Sequence, residues 1–418
     1  MTASLIDAPT SLNTEYLRVR NNTEQLAEPY SEADQTVQSM TDASPVKWHL
    51  AHTTWFFETF LLKPNLADYQ PFNEQFEYLF NSYYNSVGQQ YPRANRGLIT
   101  RPGKDEVLAY RSHVDKAMQA LFQSAEYALI EPLVTLGLAH EQQHQELLVT
   151  DVQHAMSFNP LHPQITEVPP AYGEPATLGW YKLGEGIYDI GNNDDAFCFD
   201  NETPQHKHYI HAFSLADRLI TNREYLQFMR DGGYENPLLW LSEGWAWKQL
   251  QQIDCPLYWQ FHDRQWSQLS LAGCVPLDMN APVRHVSFFE AAAFALWSGS
   301  RLPTEFEWEV ASRLNHQVPD LVEHRFLQPI PGHIDQQPFK QLFNTLWQWT
   351  GSQYLPYPGF KAPNGAVGEY NGKFMSNQFV LRGGSAVTPN GHIRASYRNF
   401  FPAHTRWQFT GIRIAKDD

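Results

Sequence analysis

The sequence is short of cysteine, of positive charge and of long apolar runs, and each shortage removes a class of protein. Its three cysteines, Cys198, Cys255 and Cys274, are too few and odd in number for a disulfide framework. None forms a CxxC pair of the kind that holds structural zinc, and the set suits a reducing compartment. A formal net charge of −15 provides no basic excess to meet a phosphate backbone or an acidic membrane surface. No stretch approaches the roughly 18 consecutive apolar residues of a membrane helix. Met1 to Asp7 lack the basic and then apolar pattern of a secretory leader. These shortages lead to the expectation of a cytoplasmic protein with no nucleic-acid and no membrane partner. Internal repeats and low-complexity segments are missing too.

What is present points to a folded, aromatic-rich chain. There are 13 Trp, 20 Tyr and 26 Phe beside 24 Gly and 28 Pro, a mixture that favours loop-built structure held by aromatic packing. At 418 residues the chain exceeds one ordinary core, so two domains are expected. Helical patterns cover residues 11–28, a second stretch from Ser44-Pro45 to just before Pro64, about Lys104 to Phe122, and about 126–156. Ser44 is the expected cap of the second helix, with Pro45 at its first position. Residues 65–103 read as irregular, a length that in a compact domain usually signals function. Five prolines (160, 163, 169, 170 and 175) end the helical pattern. The division expected is a four-helix bundle over 1–157, a proline-rich linker over 158–177, and a domain of short strands, turns and aromatics over 178–418. Helices are expected there at about Asn222–Asp231 and Ser287–Gly299.

The densest chemistry lies in the fourth helix, His140-Glu141-Gln142-Gln143-His144-Gln145-Glu146. Residues four apart are one turn apart, so His140 and His144 can turn their imidazoles to one ion. His154 lies ten residues beyond His144, about 15 Å along the axis, too far to share it. A third ligand must come from another helix, and the second offers His49 and His52. His52 shares a stripe with Trp48, Trp55 and Phe56 and is favoured over His49. Three neutral imidazoles leave coordination positions open, as catalytic zinc or non-haem iron requires, and spacing does not choose between the two.

Taken together, Trp48 to Glu58 and His140 to His144 resemble the DinB-type helical domain of the sulfoxide synthases of ergothioneine biosynthesis. The second half is similar to the formylglycine-generating-enzyme or sulfatase-modifying module, a C-type-lectin-like fold. The motifs that carry this are Thr221-Asn222-Arg223-Glu224-Tyr225, Pro282 to Ser287, Arg301 to Glu309, Trp347-Gln348-Trp349-Thr350, Arg382-Gly383-Gly384-Ser385 and Gly411-Ile412-Arg413. The fold class implied is α+β, a DinB-like bundle followed by a C-type-lectin-like domain.

The resemblance implies Fe(II) on His52, His140 and His144. It also implies an O2-dependent C–S bond between the imidazole of hercynine (Nα-trimethylhistidine) and cysteine or γ-glutamylcysteine, leaving a sulfoxide. Tyr83 or Tyr84 would be the catalytic tyrosine, with Tyr370 as a rival. Arg93 and Arg96 would take the thiol substrate's carboxylate, Gln143 the substrate imidazole, and Asn399 with Phe400 the trimethylammonium group. The run Phe400-Phe401-Pro402-Ala403-His404-Thr405 departs from branches that use γ-glutamylcysteine, where acidic and arginine contacts follow, and so raises free cysteine as donor. No cysteine follows Cys274, which argues against the copper-dependent formylglycine-generating activity of the same fold. Two alternatives are an ovothiol-type synthase acting on histidine and a zinc-dependent DinB-type thiol transferase. A lectin-like binding module is the non-enzymatic one.

Overall fold

Ser11 opens the first helix: its hydroxyl accepts the Thr14 N–H at 3.3 Å, and α1 runs Leu12–Ala27 with Tyr16, Val19, Arg20, Thr23 and Leu26 buried along one stripe. The chain is seen here in a computed structural model that describes residues 11–124, 127–315, 318, 324–331 and 337–418. It divides into two compact units, Met1–Ala155 and Met156–Asp418.

In the first unit α2 (Val46–Phe57) is buried on every side, the mark of a helix at the centre of a bundle. The Ser44 hydroxyl does not cap it. Pro45 takes the N-cap position, while Ser44 Oγ accepts a hydrogen bond from Arg96 at 2.9 Å. The helical path also continues past the expected stop at Pro64. A π-helical turn, Glu58–Leu62, leads into the short helix Lys63–Asn65, where proline in the first turn forfeits no intrahelical bond. Irregular chain follows, broken by a short helix at Phe76–Phe80 and a 3-10 segment at Arg93–Leu98. Then come α3 (Lys104–Phe122) and α4 (Tyr127–Ser157); the expected start of α4 at Glu126 lies outside the described residues. Gly137 lets α4 close on α2. A Cβ there would stand 2.8 Å from the Phe57 ring and 3.0 Å from that of Phe56, too near for two packed aromatics to yield.

The second unit begins with the proline-rich stretch, which is hydrogen-bonded along its length: Ile165 N–H to Leu271 O at 2.7 Å, Glu167 N–H to Arg325 O at 2.9 Å, Tyr172 O–H to Ile330 O at 2.7 Å. Twelve short strands among the described residues follow. β1 (Trp180–Leu183), β4 (Phe213–Ala216) and β12 (Ala415–Asp417) form one antiparallel sheet, and β2 (Gly186–Ile190) pairs with β3 (His206–Ile210). β5 (Trp259–His262), β6 (Gln265–Ser270) and β7 (Gly273–Pro276) form a meander. The remaining sheet has the order β10 (Asn399–Phe401), β9 (Phe379–Arg382), β8 (Trp347–Gln353), β11 (Thr410–Gly411).

The α-helices among the described residues of this unit after α4 are α5 (Asn222–Arg230), α6 (Ser242–Leu250), α7 (Phe288–Trp297) and α8 (Glu305–Ser312). Thr221, Ser287 and Thr304 cap α5, α7 and α8, each with a reciprocal glutamate three residues on. The motifs singled out in this half are largely structural. Arg382 reaches Glu309 at 2.8 Å and Glu305 at 3.2 Å, and Arg398 reaches Glu305 at 2.8 Å, all buried. Gly383 holds φ +101°, and a Cβ on it would lie 2.4 Å from the Leu342 carbonyl oxygen. Among the described residues no helix is long and apolar enough to cross a membrane.

Candidate metal centre

α2 contributes His52 and α4 contributes His140 and His144. One nitrogen from each lies within 4.8 Å of the others, and all three side chains are buried. His52 is stacked against Trp48 four residues before it (centroids 4.6 Å, planes 12° apart) and Trp55 three residues after it (5.6 Å, 15°). That is the stripe its helical spacing demands. Its Nδ1 lies 2.6 Å from the Phe80 carbonyl oxygen, to which only an N–H can bond. Nε2 is therefore the bare nitrogen, and it is buried without a hydrogen-bond partner. A buried polar atom in that state costs free energy unless something binds it.

Burial, with the other imidazoles adding to it, pushes His52 and His144 well below their ordinary range, and burial takes His140 down to about 3. The three rings are neutral, as metal ligands must be. A neutral, buried three-nitrogen set, with the His52 lone pair left unused, fits a divalent transition metal with open positions.

His49, the rival ligand, is turned differently. Its Nδ1 lies 2.9 Å from His144 Nδ1 and its Nε2 lies 3.1 Å from Asp151 Oδ2. His154 is bonded to Ser39 through Nδ1 at 2.7 Å and stays outside the cluster. The next residue after His140, Glu141, is fully buried, not solvated. It accepts from Thr23 at 2.7 Å, Arg20 at 2.9 Å and Arg111 at 3.0 Å. Burial alone would raise its carboxyl; the Arg20 and Arg111 guanidiniums outweigh that and hold it at about 2. Arg111 also reaches Leu50 O at 3.1 Å and Arg20 reaches Thr54 Oγ1 at 3.0 Å. All four long helices of the unit are thereby tied behind the histidines.

Of the other expected residues, Tyr84 is buried and Tyr83 half-buried, their rings stacked at 4.6 Å and their hydroxyls 3.5 Å apart. The Tyr84 ring lies 5.5 Å from that of Trp55, which stacks on His52. Arg96 is buried with its guanidinium carbon 3.5 Å from the Trp48 ring centre and its Nη atoms bonded to Ser44 and Ser82; burial, then Arg93, lowers it to about 9. Arg93 is exposed and Gln143 half-buried. The remaining three belong to the second unit. Phe400 stacks on Tyr354 (4.0 Å, 10°) and near Phe374 (6.0 Å), Asn399 Oδ1 accepts the Phe400 N–H at 2.9 Å, and Tyr370 is buried against Phe199 (5.6 Å).

Sequence reasoning missed Asp151, His49 as a partner of His144, and the Glu141 cluster. Asp151 had a signal: it follows His144 by seven residues, about two turns along the same face. Arg20 and Arg111 had a fainter one, each an arginine in line with its helix's apolar stripe.

Residues 15–148 match the family described as the DinB superfamily, and residues 180–320 match the sulfatase-modifying factor enzyme 1-like domain. The chain is 28% identical over 411 residues to the hercynine oxygenase of Mycolicibacterium smegmatis, covering 90% of this chain and 91% of that protein. It is 28% identical over 445 residues to the hercynine oxygenase of Mycobacterium tuberculosis, covering 98% and 99%. Ergothioneine biosynthesis protein 1 of Schizosaccharomyces pombe is 28% identical over 276 residues, 62% of this chain and 33% of that protein. The chain is thus a homologue of the hercynine oxygenases over most of its length, with a DinB-superfamily region followed by a sulfatase-modifying-factor-type region.

Proposed function

We propose that this protein is a non-haem Fe(II)-dependent sulfoxide synthase of ergothioneine biosynthesis, acting on hercynine and a thiol with O2. The observation that carries the reading is the buried, neutral His52–His140–His144 set with its unused His52 nitrogen, within a chain similar to hercynine oxygenases over most of its length. The balanced reaction is thiol plus imidazole plus O2 giving sulfoxide plus water: the S–H and ring C–H bonds break, C–S and S–O bonds form, and the second oxygen leaves as water. Iron(II), when bound by the three histidines, would supply open coordination positions and the redox chemistry through which the substrates' electrons reach O2.

The chain's own residues then have three tasks. The first is to hold the substrates. Arg93 and Arg96 are proposed to take the thiol substrate's carboxylate, Arg96 through its spare Nε. Gln143 is assigned to the hercynine imidazole, and Asn399 with the Phe400 ring to the trimethylammonium group, by cation–π attraction. The second is to steer the outcome. The same reactants can end as a thiol sulfinate, and a proton donor beside the reacting oxygen favours the C–S product; Tyr84, with Tyr83 stacked on it, is the proposed donor. The third is to exclude water, which Trp48, Trp55 and Phe56 do around the imidazoles.

Anaerobic protein given Fe(II), hercynine and either cysteine or γ-glutamylcysteine, then exposed to O2, is expected to consume oxygen and yield a C–S-linked sulfoxide. Cysteine is expected to be the better donor. Zinc without iron on metal analysis, and no oxygen uptake, overturns the reading in favour of a thiol transferase; turnover of histidine but not hercynine overturns it in favour of the ovothiol type. Tyr84→Phe should shift product from sulfoxide towards sulfinate by about a hundredfold, the low end of what one acid–base group supplies. An unchanged ratio in both Tyr84→Phe and Tyr83→Phe moves the role to Tyr370 or elsewhere.

A further inference from the structure

His144 ends a buried hydrogen-bonded chain that starts at Asp151 and passes through His49. Asp151 Oδ2 accepts the Ser44 backbone N–H at 2.7 Å and lies 3.1 Å from His49 Nε2; His49 Nδ1 lies 2.9 Å from His144 Nδ1. Both His49 and Asp151 are almost wholly buried, at 2% and 4% exposure, so water does not replace either bond. An ionised carboxylate only accepts, and His49 Nε2 must therefore carry a proton. A neutral His49 then has a bare Nδ1, which accepts from His144 Nδ1–H. That leaves His144 Nε2 as the bare nitrogen. In the opposite arrangement His49 Nδ1–H donates to His144 Nδ1, the His144 proton moves to Nε2, and no lone pair faces the ion.

We propose that Asp151 and His49 are positioning residues that fix the tautomer of His144, presenting its Nε2 to the metal. This rests on the metal-centre reading above. Phe80 O does the same for His52 from the backbone, by accepting its Nδ1–H at 2.6 Å. The two ligands are thus set by unlike devices, one a main-chain carbonyl that no substitution removes and the other a side-chain relay that one substitution breaks. Outer hydrogen bonds of this type orient a ligand ring and raise its basicity.

The test uses the full chain labelled with 15N-histidine, read by long-range 1H–15N correlation with and without Zn(II), together with the Zn(II) dissociation constant. In the metal-free wild type His144 should carry its proton on Nδ1, and on loading the metal shift should fall on Nε2. Asp151→Leu, which removes the acceptor, should move the His144 proton to Nε2 and weaken Zn(II) binding about 10- to 100-fold. Asp151→Asn, whose carbonyl still accepts, should recover part of that loss. His49→Phe is the second route: it should weaken binding to a similar degree without abolishing it. A proton on His144 Nε2 in the wild type, a metal on Nδ1, or unchanged affinity in both Asp151→Leu and His49→Phe overturns the proposal. A wild type that binds no metal overturns the metal centre instead, and the tautomer in the metal-free protein still decides the relay.

Discussion

His140 and Glu141 are neighbours in the chain and both are buried, yet they sit in opposite electrostatic solutions to the same problem. Around His140 the polar groups are neutral, held so by loss of solvent, with the nearby His52 Nε2 left unsatisfied. Around Glu141 they are charged and compensated: two guanidiniums and a hydroxyl meet one carboxylate within 3.0 Å. A buried charge survives only with partners, whereas a buried neutral base can wait for a cation. One side of the bundle keeps its buried bases neutral, and the other pairs its charges to hold the helices in place.

Three substitutions test that contrast. His52→Ala should have the largest effect, abolishing stoichiometric metal binding and oxygen uptake while the circular dichroism spectrum is kept; metal analysis of the purified variant reads it. If His52→Ala retains a full metal complement, the centre is elsewhere. Glu141→Ala should do the reverse, costing about 3–5 kcal/mol of stability because Arg20 and Arg111 are left buried without their anion. Urea unfolding measures it, and a loss under about 1 kcal/mol would mean that the cluster is wetter than its burial implies. Thr23→Val removes one bond to that carboxylate and should cost about 1.5–3 kcal/mol with little change in metal affinity. A variant that loses metal as readily as stability would show that the two faces are coupled through α4.

Much of the fold was legible because its signals are local. The α3 span Lys104–Phe122 follows from periodicity, and the caps at Thr221 and Ser287 mark α5 and α7. Local signals also had limits. Thr304-x-x-Glu307 is a capping box of the same kind, and it opens α8, a helix absent from the sequence expectations. Ser44 looked like a cap and is not one, since its hydroxyl is taken by Arg96, 52 residues away. The π-turn at Glu58–Leu62 carries no composition cue, and the helical path runs on from it through Pro64.

The chain's own order of residues established that His140 and His144 share one face of a helix, that His154 lies too far along it, and that α2 has an apolar stripe containing His52. Those statements depend only on 3.6 residues per turn and a 1.5 Å rise. The tertiary structure decided which nitrogen of His52 is bare, that His49 lies between His144 and Asp151, and that Glu141 is a buried anion between two arginines. Such facts arise where separate helices meet. Phe80 and His52, or Arg111 and Glu141, are joined only by packing between separate elements. No periodicity along one helix encodes the approach of another.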